Sequence, residues 1–185
     1  MSNRCISACG LTAAFLVASA LTTLALAADQ DSRRTALAEE VRDKGWIVFS
    51  AKTQQGDWDL FVMRPDGSQI RNITNTSEWS EAAPRFSPDA KNILYRRLEK
   101  GRTISHDRWG FQGQLLIADS DGSNPVEFGK PGEFTWAAWS GDGREVSCLS
   151  LRGIEIVDRA TKKVIRKLPR EGIFQQLFWS PDGKW

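Results

Sequence analysis

Phe86-Ser87-Pro88-Asp89-Ala90-Lys91 is the stretch that decides the fold. It returns as Trp139-Ser140-Gly141-Asp142-Gly143-Arg144 and again as Trp179-Ser180-Pro181-Asp182-Gly183-Lys184, with the serines 53 and 40 residues apart. Pro sets φ for a first turn corner, Asp bonds back to its own backbone, and Gly accepts positive φ, so the motif reads as a tight turn. The second copy loses Pro and keeps Gly, so turn geometry is what the repeats retain. After the first two copies comes an apolar strand, Asn92-Ile93-Leu94-Tyr95 and Glu145-Val146-Ser147-Cys148-Leu149. The aromatic before each Ser is a core residue.

A second turn falls between these. It is Arg64-Pro65-Asp66-Gly67-Ser68, then Asp119-Ser120-Asp121-Gly122-Ser123, then the degenerate Asp158-Arg159-Ala160-Thr161. A short apolar strand precedes each: Asp59-Leu60-Phe61-Val62-Met63, Gln114-Leu115-Leu116-Ile117-Ala118 and Ile154-Glu155-Ile156-Val157. Further strand-length runs start at Trp46, Trp58, Ile70 and Ala83, bounded by Gly, Pro, Asn, Asp or Ser. Four strands in about 40 residues is the arithmetic of a β-propeller blade. The expected fold is all-β, a partial β-propeller of about three four-stranded blades (46–91, 92–144 and 145–184).

These residues resemble the TolB-type propeller repeat, a relative of the WD repeat. Trp58-Asp59-Leu60-Phe61-Val62-Met63-Arg64-Pro65-Asp66-Gly67-Ser68 is similar to one half of that repeat, and the Ser-Pro-Asp-Gly turns to the other. The resemblance covers 46–185. It implies a periplasmic β-propeller that binds protein or envelope partners, as in Tol biopolymer transport. The same repeat forms the propellers of prolyl-oligopeptidase-like peptidases, which implies an alternative: a gating propeller for a serine peptidase whose catalytic domain lies outside this chain. The blade count and the turn at Ser180 lead us to expect a truncated propeller, with open blade edges that favour self-association.

Residues 1–27 have a different texture. Arg4 is the only charged side chain, an apolar run follows from Leu11 to Leu26, and Ala25-Leu26-Ala27 offers small residues for cleavage. A secretory signal peptide is expected. The run of 16 residues, broken by Thr12, Ser19, Thr22 and Thr23, is short for a membrane span of about 20 residues. Cleavage removes Cys5 and Cys9 and leaves Cys148, a buried structural thiol. It also leaves 24 basic and 23 acidic residues, a balance that argues against nucleic-acid binding. The product is expected to be periplasmic or secreted, with no membrane span. Residues 28–45 read as a linker with one or two helical turns, capped at Asp31 or Ser32, with Leu37 and Val41 on one face and Gly45 as the stop.

No catalytic set is legible. The only histidine, His106, has no companion nucleophile, and no Gly-x-Ser-x-Gly elbow surrounds a serine. A carbohydrate-acting propeller would need a His and metal cluster that these repeats lack. Asp119-Ser120-Asp121-Gly122-Ser123 opens like a calcium loop, but the twelfth position is Lys130 where a bidentate Glu belongs. Asn72-Ile73-Thr74 and Asn75-Thr76-Ser77 match glycosylation sequons and read as loop residues. No cofactor or metal is expected. The one unusual feature is the segment from Arg96 to Gly113, which makes the second repeat 13 residues longer than the third. Arg97, Arg102, His106, Arg108 and Trp109 in it form a candidate partner-binding loop, because Arg and Trp dominate interface hot spots. The bland alternative is a solvated hairpin.

Overall fold

The computed structural model describes residues 27–101, 113–169, 177–180 and 182–184. Residues 1–26 therefore lie outside it, and with them nearly all of the expected signal peptide. Helix α1 covers 27–41, longer than the expected one or two turns. Asp31 and Ser32 do not cap it. They sit inside it, where the Ser32 hydroxyl donates to the Asp29 carbonyl at 2.9 Å and the Thr35 hydroxyl to the Asp31 carbonyl at 2.9 Å. The helix forms one compact unit with the turn 64–68. There Arg42 Nε donates to Asp66 Oδ2 at 2.9 Å, and Arg64 Nη1 to the Gly45 carbonyl at 3.2 Å.

The second unit holds the sheets. Its strands are β1 (Ile47–Lys52), β2 (Trp58–Met63), β3 (Arg71–Asn72), β4 (Trp79–Phe86), β5 (Asn92–Glu99), β6 (Gln114–Asp119), β7 (Val126–Phe128), β8 (Ala137–Trp139), β9 (Glu145–Ser150), β10 (Gly153–Asp158) and β11 (Val164–Pro169). They form three antiparallel meanders: β1-β2-β3, β4-β5-β6-β7 and β8-β9-β10-β11. The all-β expectation and the three-sheet count both hold. The sheets run out of phase with repeats cut at 91 and 144, because the first two Ser-x-Asp turns each join the first two strands of one sheet (β4 to β5, β8 to β9). A turn whose ends are hydrogen-bonded belongs inside a hairpin. The chain passes from sheet to sheet at 73–78 and 129–136 instead.

Burial explains why β5 shows no polar alternation. Ile93 and Tyr95 pack toward the first sheet with Leu60, Leu116 and Ala118. Leu94 faces the other way, among Leu115, Phe128, Phe134, Trp139, Val146 and Cys148. A sheet covered on both faces needs apolar side chains at successive positions. Each fully buried Leu, Ile or Phe here contributes about 1.5–3 kcal/mol. The turn at Gly122 sits so close to the first sheet that a Cβ there would lie 1.9 Å from the Ile73 carbonyl oxygen. Its φ of +88° already favours glycine.

β4 begins at Trp79, four residues before the run expected at Ala83. Ser80 and Glu81 hide its start from an apolar pattern, yet both are buried. A bulge follows, with a register shift between Ala82 and Arg85 and φ +54° at Ala83.

Candidate binding end of the sheets

The sheet loops do not all point the same way. β4 runs from Trp79 to the Ser87 turn and β5 returns to Glu99, so the β5–β6 connection leaves from the end opposite that turn. The connection 73–78 reaches the same end, where Lys100 N donates to the Glu78 carbonyl at 3.0 Å. Of the five candidate loop residues, Arg97 is described. Its guanidinium lies over the Trp79 ring, 4.4 Å from the centroid, with the Glu127 carboxylate 4.0 Å away. A half-buried cation on an indole face is a rigid, amphipathic surface element. Arg102, His106, Arg108 and Trp109 lie outside the described residues.

Beneath this surface is a polar group that sequence reasoning did not single out. Asp59 on β2 and Glu81 on β4 are both buried. Thr76 Oγ1 donates to Glu81 Oε1 at 2.7 Å and Thr74 Oγ1 to Glu81 Oε2 at 3.3 Å. The Asn72 amide donates to Asp59 Oδ2. Thr74 Oγ1 also accepts from Leu60 N at 3.0 Å. Burial pushes the Glu81 carboxyl up to about 7, with neighbouring Asp59 adding to the rise against Thr76. Asp57 is buried next to them and bonded by the Thr53 hydroxyl, which lowers its pKa. The available signal was negative: a Glu and an Asp at strand positions that periodicity reserves for apolar side chains.

The donors to Asp59 and Glu81 come from 72–76, so these two carboxyls join the first sheet to the second. Cys148 is fully buried, and burial pushes its thiol far above the ordinary range. The acidic turn residues are also committed. Asp121 Oδ1 accepts from Ser123 N and Oγ at 2.9 and 2.6 Å, and Asp119 Oδ2 from Asn124 Nδ2 at 2.7 Å. Among the described residues no group of three or more His, Cys, Asp or Glu could hold a metal ion, and no helix is long and apolar enough to cross a membrane.

TolB from Acinetobacter baumannii is similar with a TM-score of 0.60 at 20% identity, over 77% of this chain and 35% of that one. The fold is a TolB-like partial β-propeller. A putative TolB from Agrobacterium tumefaciens gives 0.53 at 20% identity, over 75% and 51% of the two chains. A puromycin hydrolase mutant complexed with PGG gives 0.52 at 21%, over 68% and 21%. The chain thus spans about a third to a half of the TolB structures it resembles. No family model matches the sequence, and no curated protein does.

Proposed function

We propose that this chain is a non-enzymatic, exported scaffold of the TolB-like kind, holding a protein or cell-envelope ligand in the periplasm. What carries this reading is the β5–β6 end, where the longest connection leaves the sheets beside the Arg97–Trp79 pair. Buried carboxyls on Thr and Asn donors hold that end together. The fold of the TolB structures supports the scaffold reading by analogy. The test is affinity capture from envelope extracts with wild-type chain and with Arg108→Ala/Trp109→Ala. Loss of a specific partner from the double variant is expected. An unchanged set of partners would sink the loop's role.

The puromycin hydrolase likeness favours a second reading, a propeller that gates a peptidase. Extending the reading frame past Trp185 separates the two. A hydrolase domain with a Gly-x-Ser-x-Gly elbow would replace the scaffold reading with the gating one.

A further inference from the structure

Arg85 occupies an unusual place. It lies on β4 next to the Ser87 turn, at the end of the sheet away from the β5–β6 connection. Its backbone is fixed from the third sheet, because Trp139 Nε1 donates to the Arg85 carbonyl at 3.2 Å. Its guanidinium carbon stands 4.9 Å from the centroid of the Phe178 ring and 5.9 Å from that of Trp136. The side chain is half-buried. Among the described residues neither a carboxylate nor a hydrogen-bond acceptor reaches it. Burial lowers its pKa, and among the described residues no charged neighbour offsets that.

A desolvated cation is normally paired, since an unpaired one is costly. Two aromatic faces recover part of that cost. They leave the planar fork of donors unused, and that fork matches a carboxylate. Phe178 is 68% exposed, so one wall of the place is open to solvent. Trp136 is partly exposed as well.

We infer that Arg85, Trp136 and Phe178 form a binding site for a carboxylate carried on an apolar body, the guanidinium taking the charge and the two rings the apolar part. The site is separate from the β5–β6 end, and the inference does not rest on the scaffold reading.

Ligand-observed NMR titration of the full chain with N-acetyl-phenylalaninate, against its neutral amide, tests this. The acid is expected to bind about tenfold or more tightly than the amide, since hydrogen bonds to charged groups exceed neutral ones by that order. Arg85→Gln should abolish the preference, and Arg85→Lys should keep only part of it. Phe178→Ala removes an exposed ring and should weaken the acid several-fold with the fold intact, which decides the matter if Arg85→Gln fails to fold. Equal binding of acid and amide, or binding unaffected by Arg85→Gln and Phe178→Ala, would overturn the assignment. So would the absence of binding to wild type, or displacement of the acid by an equal concentration of inorganic phosphate.

Discussion

Ser87 closes its turn with its side chain. It accepts from Asn92 N at 3.0 Å through Oγ and donates to Asp89 Oδ1 at 2.6 Å, while Asp89 Oδ1 accepts from Lys91 N at 3.2 Å. Ser140 repeats this with Glu145 N, Asp142 and Arg144 N at 3.0, 2.7 and 3.0 Å. Ser180 and Asp182 repeat the second half. The motif was legible as a turn through Pro and Gly, yet the lasting pair is Ser and Asp. The copy without Pro makes the same bonds. Ser140→Ala should therefore cost about 1–2 kcal/mol, from one bond lost and one amide left short of an acceptor, read from urea unfolding. Ala90 stands where the other copies place glycine, with φ +56° against +71° at Gly143. It is exposed, so Ala90→Gly should stabilise by about 1 kcal/mol by relieving the left-handed backbone. A loss of stability would contradict that strain. Gly122→Ala should do the opposite and cost several kcal/mol, since the added methyl meets a backbone carbonyl that cannot turn aside.

At the scale of the elements, the two sheet-to-sheet seams differ. Five residues before the turn aromatic stands Glu81 in one repeat and Phe134 in the next. Glu81 works with Asp59. Phe134 packs on Phe128 at 6.5 Å between centroids, and Gln114, at the Asp59 position, donates to the Gly129 carbonyl at 3.2 Å. The apolar seam was legible as strand patterning. The polar one was not, because its residues break the periodicity that reveals strands, and only three-dimensional proximity explains them. This makes the pH dependence specific. Glu81 is raised in the fold to about 7, so its ionisation opposes folding above the ordinary Glu range. Stability from this group grows as pH falls from about 7 to about 4.5. Asp66 is lowered to about 2 by the Ser68 hydroxyl and amide and then by Arg42, and Asp89 and Asp142 are lowered by Ser87 and Ser140. Their contributions are present above the ordinary Asp range and vanish as pH falls through their folded values. Stability should therefore peak near pH 4.5–5. Glu81→Gln should flatten the slope between pH 5 and 7 and raise the melting temperature at pH 8, because a neutral amide avoids both the buried charge and its repulsion by Asp59. A melting profile unchanged by the substitution would show that Glu81 does not titrate in that window.

Across the whole molecule, the third sheet leaves apolar residues in contact with water. Ile165 is 54% and Leu168 47% exposed, and Leu168 lines a cavity of about 340 Å³ with Ile154, Ile156, Phe178 and Trp179. We propose that the isolated chain self-associates through this region, and light scattering should report species larger than a monomer. A monodisperse monomer that melts cooperatively would count against it. The scaffold reading also has a direct test. Lys91 and Lys100 stand just outside the two ends of β5, which spans about 27 Å at roughly 3.4 Å per residue, and both are exposed. A photo-crosslinking side chain at each, in cells that export the chain, asks which end meets a partner. A specific envelope adduct from position 100 and none from position 91 is expected. Adducts from position 91 alone, or from neither, would contradict a scaffold that binds through its β5–β6 end.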